Sequence, residues 1–214
     1  MSLDKNAFEQ PANKLLAALP ASDYQRLIPH MKLVPLSNWQ VLYQTGEPIA
    51  QVYFPHKAVV SIVTTMEDGS TMEIGFVSNE GMVGMPVILG DNITTTTALV
   101  QIPDSAMQID ANILRSEFNR GTALQNLLLR YVQRVYTQIV QESACNRLHQ
   151  REERLARWLL TVSDRLESKE FPLTQEFISQ MLGVHSAGVS EAASTLSQAG
   201  IIAYHCGQIT AIFR

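Results

Sequence analysis

The apolar positions of this chain change rhythm twice. Between residues 14 and 33 they fall at helical spacing, as Leu15, Leu16, Leu19, Leu27 and Ile28, while Pro20 and Pro29 cut the stretch into short pieces. From about 34 to 110 the texture becomes short β runs parted by turn signals. Gln40–Tyr43, Val52–Phe54, Val59–Met66, Thr71–Val77 and Thr95–Ile102 are the expected strands. Thr45-Gly46-Glu47-Pro48, Asp68-Gly69, Asn79-Glu80-Gly81 and Gly90-Asp91-Asn92 are the expected turns. Asp68-Gly69 between two β runs signals a hairpin. After it Met72, Ile74 and Phe76 alternate with Thr71, Glu73 and Gly75, as in a half-buried strand. Met72, Met82 and Met85 are expected to fill the interior. Strands at this spacing form a sandwich or a rolled barrel.

From Thr122 to Cys145 no Pro or Gly interrupts the chain, and Leu124, Leu128, Tyr131, Val135 and Ile139 recur at steps of three and four. Such a helix runs roughly 36 Å. Arg130, Arg134, Gln138 and Gln141 occupy its polar face. The apolar stripe suits either a core helix lying on the β domain or a two-stranded dimer seam. A second helix, Glu152–Leu166, carries Leu155, Trp158, Leu159 and Val162 on one face. Trp158 is expected to anchor the long helix to the C-terminal unit.

That unit has its own order. Ser168-Lys169-Glu170 reads as a turn, and Thr174 stands ready to cap a helix with Glu176 in its positive first turn. Gly183 ends that helix. A second helix starts near His185 or Ser186, buries Val189, Ala193 and Leu196, and stops at Gly200. Ile201–Tyr204 and Gln208–Phe213 then read as strands around His205-Cys206-Gly207. Helix, glycine-centred turn, helix and hairpin make a winged helix-turn-helix, whose second helix enters a DNA major groove.

Composition narrows the function. With 214 residues and 46% apolar positions, the chain is long enough for one large or two small folded units. No apolar run approaches the ~18 residues of a membrane span, no leader opens the chain, and two cysteines make no disulfide framework. A cytoplasmic protein is expected, with no membrane partner. The net charge of −4 gives no hint of nucleic acid, and residues 147–214 hold seven basic and seven acidic side chains. An enzyme is disfavoured. A cupin-like metal site needs about three histidines and a carboxylate, and only His30 and His56 lie in the β region. No phosphate loop, nucleophile elbow or dinucleotide fingerprint is present. No cofactor or metal is expected, and Cys145 reads as a small buried residue.

The whole order resembles the Crp/Fnr superfamily of bacterial transcription regulators. The likeness is carried by Leu173-Thr174-Gln175-Glu176-Phe177-Ile178-Ser179-Gln180-Met181-Leu182-Gly183-Val184, by Gly200-Ile201-Ile202, and by Ala144-Cys145-Asn146-Arg147-Leu148-His149. It implies an α+β chain in three parts: a cupin-like, cyclic-nucleotide-binding-like β-roll sensor over 1–121, a dimerisation helix over 122–146, and a winged helix-turn-helix over 147–214. It also implies a homodimer on double-stranded DNA, a small-molecule effector, and contact with RNA polymerase.

Departures from the family pattern shape the expectations. Cyclic-AMP-binding members hold the ribose with Gly-Glu and the phosphate with Arg-Ser-Ala or Arg-Thr-Ala. The matching stretches here are Gly84-Met85-Pro86 and Thr96-Thr97-Ala98, so Gly84, Met85, Thr96 and Thr97 mark an effector pocket without the usual anchors. Where guanine-reading members place arginine in the reading helix, this chain has Ser186 and Glu191. Thr174 and Gln175 are expected on phosphate, His185 on phosphate or a base edge, Ser186, Ser190 and Glu191 on bases, and His205 and Gln208 on the backbone from the wing. Arg147, Arg151, Arg154 and Arg157 form either a positive stripe beside DNA or a solvated face paired with Glu152 and Glu153. Leu124, Leu128, Tyr131, Val135 and Ile139 are the expected dimer seam. The alternative is a ligand-sensing or protein-interaction module whose helix-turn-helix has lost its affinity for DNA.

Overall fold

Asn13 ties the first described helix to the β region. Its Oδ1 caps α1 (Lys14–Ala17), accepting from the Leu15 and Leu16 amides at 3.0 and 3.1 Å. Its Nδ2 donates to the Pro55 and Gly81 carbonyls, both at 2.9 Å. The computed structural model describes residues 11–67, 69, 71–90, 93–166, 170–172, 178–179, 183, 186–205 and 208–211. After α2 (Ala21–Leu27) and a 3-10 turn over Ile28–His30, strand β1 (Met31–Leu36) begins inside the stretch whose spacing reads as helical.

Six more strands complete the β region: β2 (Val41–Tyr43), β3 (Gln51–Pro55), β4 (Val59–Thr65), β5 (Thr71–Val77), β6 (Thr97–Ile102) and β7 (Asp104–Asp110). They form antiparallel sheets of order β1-β7-β3 and β2-β6-β4-β5. β5 is therefore an edge strand. Phe76 is buried, but Met72 and Ile74 are over a third exposed, contrary to the interior expected from their alternation. At an edge the face away from the roll meets whatever packs beside it. Met82 is buried, and Met85 packs partly against the core. Helix α3 (Ala111–Phe118) follows, capped by Asp110.

Helix α4 (Ala123–Leu148) closes the roll. Leu124, Leu128 and Tyr131 sit in the roll's own core, with Val135 packed partly against it. These residues of the expected seam are thus interior to one chain, because the roll needs a lid for its apolar side. Tyr131 donates its hydroxyl to the Met82 carbonyl at 3.3 Å. The ring lies so close that a Cβ on Gly81 would stand 2.8 Å from it, which requires glycine there. The outward face keeps Leu129, Tyr136, Ile139 and Val140 exposed.

Beyond His149, whose backbone is extended, α5 (Arg151–Leu166) runs into the C-terminal unit. That unit adds α6 (Ser186–Gln198) and a sheet of order β8-β10-β9, made by β8 (Glu170–Pro172), β9 (Ile202–His205) and β10 (Gln208–Ala211). Glu170, expected in a turn, instead opens β8. The unit docks on the roll. Val59 and Phe76 share a core with Leu155, Trp158, Leu159 and Leu196. The Phe76 and Trp158 rings meet at 5.8 Å. Trp158 Nε1 donates to Glu73 Oε1 at 3.0 Å, and Ser61 donates to the other oxygen. Trp158 therefore anchors the C-terminal unit to the roll.

Two outcomes follow from this packing. Leu128→Ala should lower the unfolding free energy in urea by about 2–5 kcal/mol, because a fully buried side chain leaves a cavity. Burial pushes the Glu73 carboxyl up to about 7; its Ser61 and Trp158 hydrogen bonds oppose this, Glu142 adds to it and Arg165 opposes it. A carboxyl raised in the folded state contributes stability that is full below its unfolded value and is lost as pH rises through about 7. The melting temperature should therefore fall between about pH 5 and pH 8, and Glu73→Gln should flatten that fall.

Candidate functional site

Helix α6 has two unlike faces. Val189, Ala192, Ala193 and Leu196 are buried against α5, while Ala187, Ser190, Glu191 and Ser194 are exposed. Gly183, between the two helices of the motif, has φ +63°, and Gly200 closes α6 at φ +69°. Glu191 lies 3.4 Å from Arg151 in an exposed pair. The helix therefore offers small polar side chains and one acid outward. Ser186 begins the helix, and His205 and Gln208 face each other across the wing hairpin in backbone register. The side chains of these three, and Thr174, Gln175 and His185 entirely, lie outside the described residues.

The row of arginines divides. Arg147 and Arg151 are exposed, but Arg154 and Arg157 are half-buried and turn toward the roll. There they line a small polar cavity of about 40 Å³ with Glu73, Glu142 and Trp158. Arg157 lies 3.8 Å from Glu142. Burial, and then the Arg157 charge beside it, lowers the Arg154 pKa. The row is therefore not one continuous exposed stripe, and the partners of Arg151 and Arg157 are Glu191 and Glu142.

A second cavity, of about 220 Å³, lies between the roll and α4. Gly84, Met85 and Thr96, three of the four residues expected to mark an effector pocket, come together on its wall. Gly84 has φ +107°, and a Cβ there would stand 3.1 Å from Val52 Cγ2. The Thr96 hydroxyl pairs with that of Thr94 at 2.9 Å. Thr97 is not on the wall, and its hydroxyl accepts from the Thr45 amide at 3.2 Å. Burial holds the Tyr43 and Tyr131 phenols above their ordinary pKa, with the Thr96 hydrogen bond opposing it at Tyr43 and the Met82 carbonyl bond opposing it at Tyr131.

The charged part of this wall was not legible in the sequence. Glu80 sits in what reads as a plain turn, and Arg134 and Glu142 lie on the more polar part of α4. Arg165 comes from α5, in the unit that carries α6. Its side chain is 14% exposed. Its guanidinium lies 4.1 Å from the Phe76 ring centre, donates to the Phe76 carbonyl at 2.8 Å and to Gln138 Oε1 at 3.2 Å, and pairs with Glu80 at 3.2 Å. Only proximity in the fold could have joined residues 76, 80, 138 and 165.

Among the described residues no group of three or more His, Cys, Asp or Glu side chains is placed to hold a metal ion. No described helix is long and apolar enough to cross a membrane.

Comparison with known proteins places both halves. Residues 34–120 match the cyclic nucleotide-binding domain, and residues 153–212 match the Crp-like helix-turn-helix domain. Among solved structures, the cyclic-di-GMP-responsive global regulator CLP of Xanthomonas campestris shares the fold with a TM-score of 0.74 and 12% identity, covering 91% of this chain and 100% of that one. FixK2 of Bradyrhizobium japonicum superposes with a TM-score of 0.67 and 20% identity over 86% and 93% of the two chains. A Crp-family transcriptional regulator of Thermus thermophilus gives 0.68 and 16% over 84% and 92%. No curated protein sequence matches the chain. Sensor-type roll, long helix and Crp-type reading unit stand in one chain in that family's order, and the chain belongs to the Crp/Fnr family of transcription regulators.

Proposed function

We propose that this protein is a homodimeric DNA-binding regulator of the cytoplasm, whose roll senses a small effector other than cyclic AMP. The observation that carries the reading is the two-faced α6, buried through Val189, Ala193 and Leu196 and open through Ala187, Ser190, Glu191 and Ser194, inside a matched Crp-like helix-turn-helix. Each protomer sends α6 into a major groove, with half-sites one helical turn apart. Ser186, Ser190 and Glu191 meet bases, and Glu191 leaves Arg151 to accept from a cytosine amine. Thr174 and Gln175 hold phosphate at the first helix, His185 meets phosphate or a base edge, and His205 and Gln208 track the backbone from the wing. Contact of the bound dimer with RNA polymerase follows from the same reading.

The dimer forms along α4, through the face that the roll leaves uncovered. Leu129, Tyr136 and Ile139 stand at steps of seven and three, with Val132, itself packed partly against the roll, between the first two, the spacing of a two-stranded seam. Leu129, Tyr136 and Ile139 are exposed in the single chain. Of the seam that the sequence spacing predicts, Ile139 also lies on this stripe. In the roll, Met85 and Thr96 both line the cavity, and by the family resemblance they replace the ribose anchor and the phosphate-binding arginine. An effector signal shifts the reading units about the joint at Asn146–His149 by binding two arrangements unequally.

Selection of genomic DNA fragments by the purified chain should enrich a two-fold-symmetric site, with affinity falling steeply as salt rises. Capture of duplex no better than by an acidic control protein would refute the reading. Tyr136→Glu should convert the dimer to a monomer in sedimentation while far-UV dichroism stays that of the parent. An unchanged dimer would place the seam elsewhere. Glu191→Ala should alter which sequences are enriched more than the total affinity, and an equal loss on all sequences would take Glu191 off the bases.

A further inference from the structure

The sensor cavity combines an apolar interior with cations that do not come from the roll. Ile62, Ile74, Phe76, Met82, Val135 and Ile139 give it apolar surface. Arg134 stands at the edge, exposed, and makes no hydrogen bond or ion pair among the described residues. Arg165 closes another side, reaching in from the DNA-reading unit. We propose that this cavity takes a small organic acid with an apolar body, and that Arg134 and Arg165 together hold its carboxylate. The proposal rests on the regulator reading and names the effector class of that same site.

Size and charge narrow the ligand. An apolar cavity of about 150 Å³ holds benzene. The 220 Å³ here suits one ring, or a branched chain, with a short acidic arm. Two basic and two acidic side chains line the wall, Arg134 and Arg165 against Glu80 and Glu142, and their formal charges cancel. A single negative charge can be matched by moving one partner, whereas a phosphate dianion would bring a second charge toward two carboxylates in a poorly hydrated space. Arginine's planar fork also fits a carboxylate with two parallel hydrogen bonds.

The arrangement of Arg165 permits the exchange. One Glu80 oxygen lies 3.2 Å from it, while Oε2 of the same carboxylate is buried without a hydrogen-bond partner among the described residues. A carboxylate half satisfied in this way carries a desolvation cost, so the pair stabilises less than a fully bonded one. A ligand carboxylate competes with it for the guanidinium, and the neutral acceptors, the Phe76 carbonyl and Gln138 Oε1, keep the guanidinium in place. The ligand then touches the reading unit directly. Because Arg165 also lies on the Phe76 ring that packs against Trp158, its change of partner acts on the seam where that unit meets the roll.

The test is calorimetric titration of the full-length chain with benzoate, phenylacetate and 3-methylbutanoate. Their neutral amides form a second arm and cyclic AMP a third. At least one acid should bind about tenfold or more tighter than its amide. Arg134→Gln should remove most of that difference while leaving amide binding and the melting temperature of the free protein unchanged. Arg165→Lys keeps the charge but loses the fork, and should also weaken the acid. Acid and amide binding equally, cyclic AMP binding in place of the acids, or no acid binding at all would overturn the proposal. Duplex capture is scored on the same preparations with and without acid. Acid binding without duplex capture in either condition defeats the regulator reading and leaves the ligand standing. Duplex capture without acid binding does the reverse.

Discussion

One helix must close the roll and still leave a face for something else. Through Leu124, Leu128 and Tyr131, α4 supplies the apolar lid that the β sheets lack, and the Tyr131 ring fits only because residue 81 has no Cβ. Once that face is committed, the rest of the helix is constrained. Arg134, Gln138 and Glu142 fall along the wall of the cavity between the roll and α4, and Leu129, Tyr136 and Val140 are exposed away from it. The direction in which the chain leaves α4 at His149 then sets where the reading unit can sit.

That unit sits on an exposed liability. β5 ends its sheet, and an unpaired edge invites association with other strands. Here the C-terminal unit shields part of it. Phe76 enters that unit's core, Glu73 accepts from Trp158, and a Cβ on Gly183 would stand 3.7 Å from the Met72 sulfur. One short strand thus borders the sensor cavity through Ile74 and Phe76 and the reading unit through Met72, Glu73 and Phe76. Arg165 crosses the same boundary in the other direction. Physical continuity between the cavity and the C-terminal unit then needs only a few side chains.

What could be read from residues alone follows the same logic. β5 was legible end to end because Asp68-Gly69 marks its start and alternation marks its length. The helices α5 and α6 were legible from their stripes and from Gly200. β1 and β7 were missed because a strand whose faces are both mixed, as in Met31–Leu36, has no clean period. Periodicity identified the apolar stripe of α4 but not the partner of that stripe, so Leu124, Leu128 and Tyr131 suited a seam as well as a lid. Glu73 read as a solvent-facing alternate because the unit that buries it lies 85 residues away in the chain. Gly84, Met85 and Thr96 were found by resemblance, whereas Arg165 was beyond it, since no local pattern records a side chain that crosses between units.

The central claim is that two chains, joined along the outward face of α4, read one duplex. Sedimentation equilibrium of the purified chain with an excess of the enriched two-fold-symmetric duplex tests it most directly. The account predicts a complex of two chains on one duplex. A complex of one chain, or free duplex and free protein side by side, would contradict it.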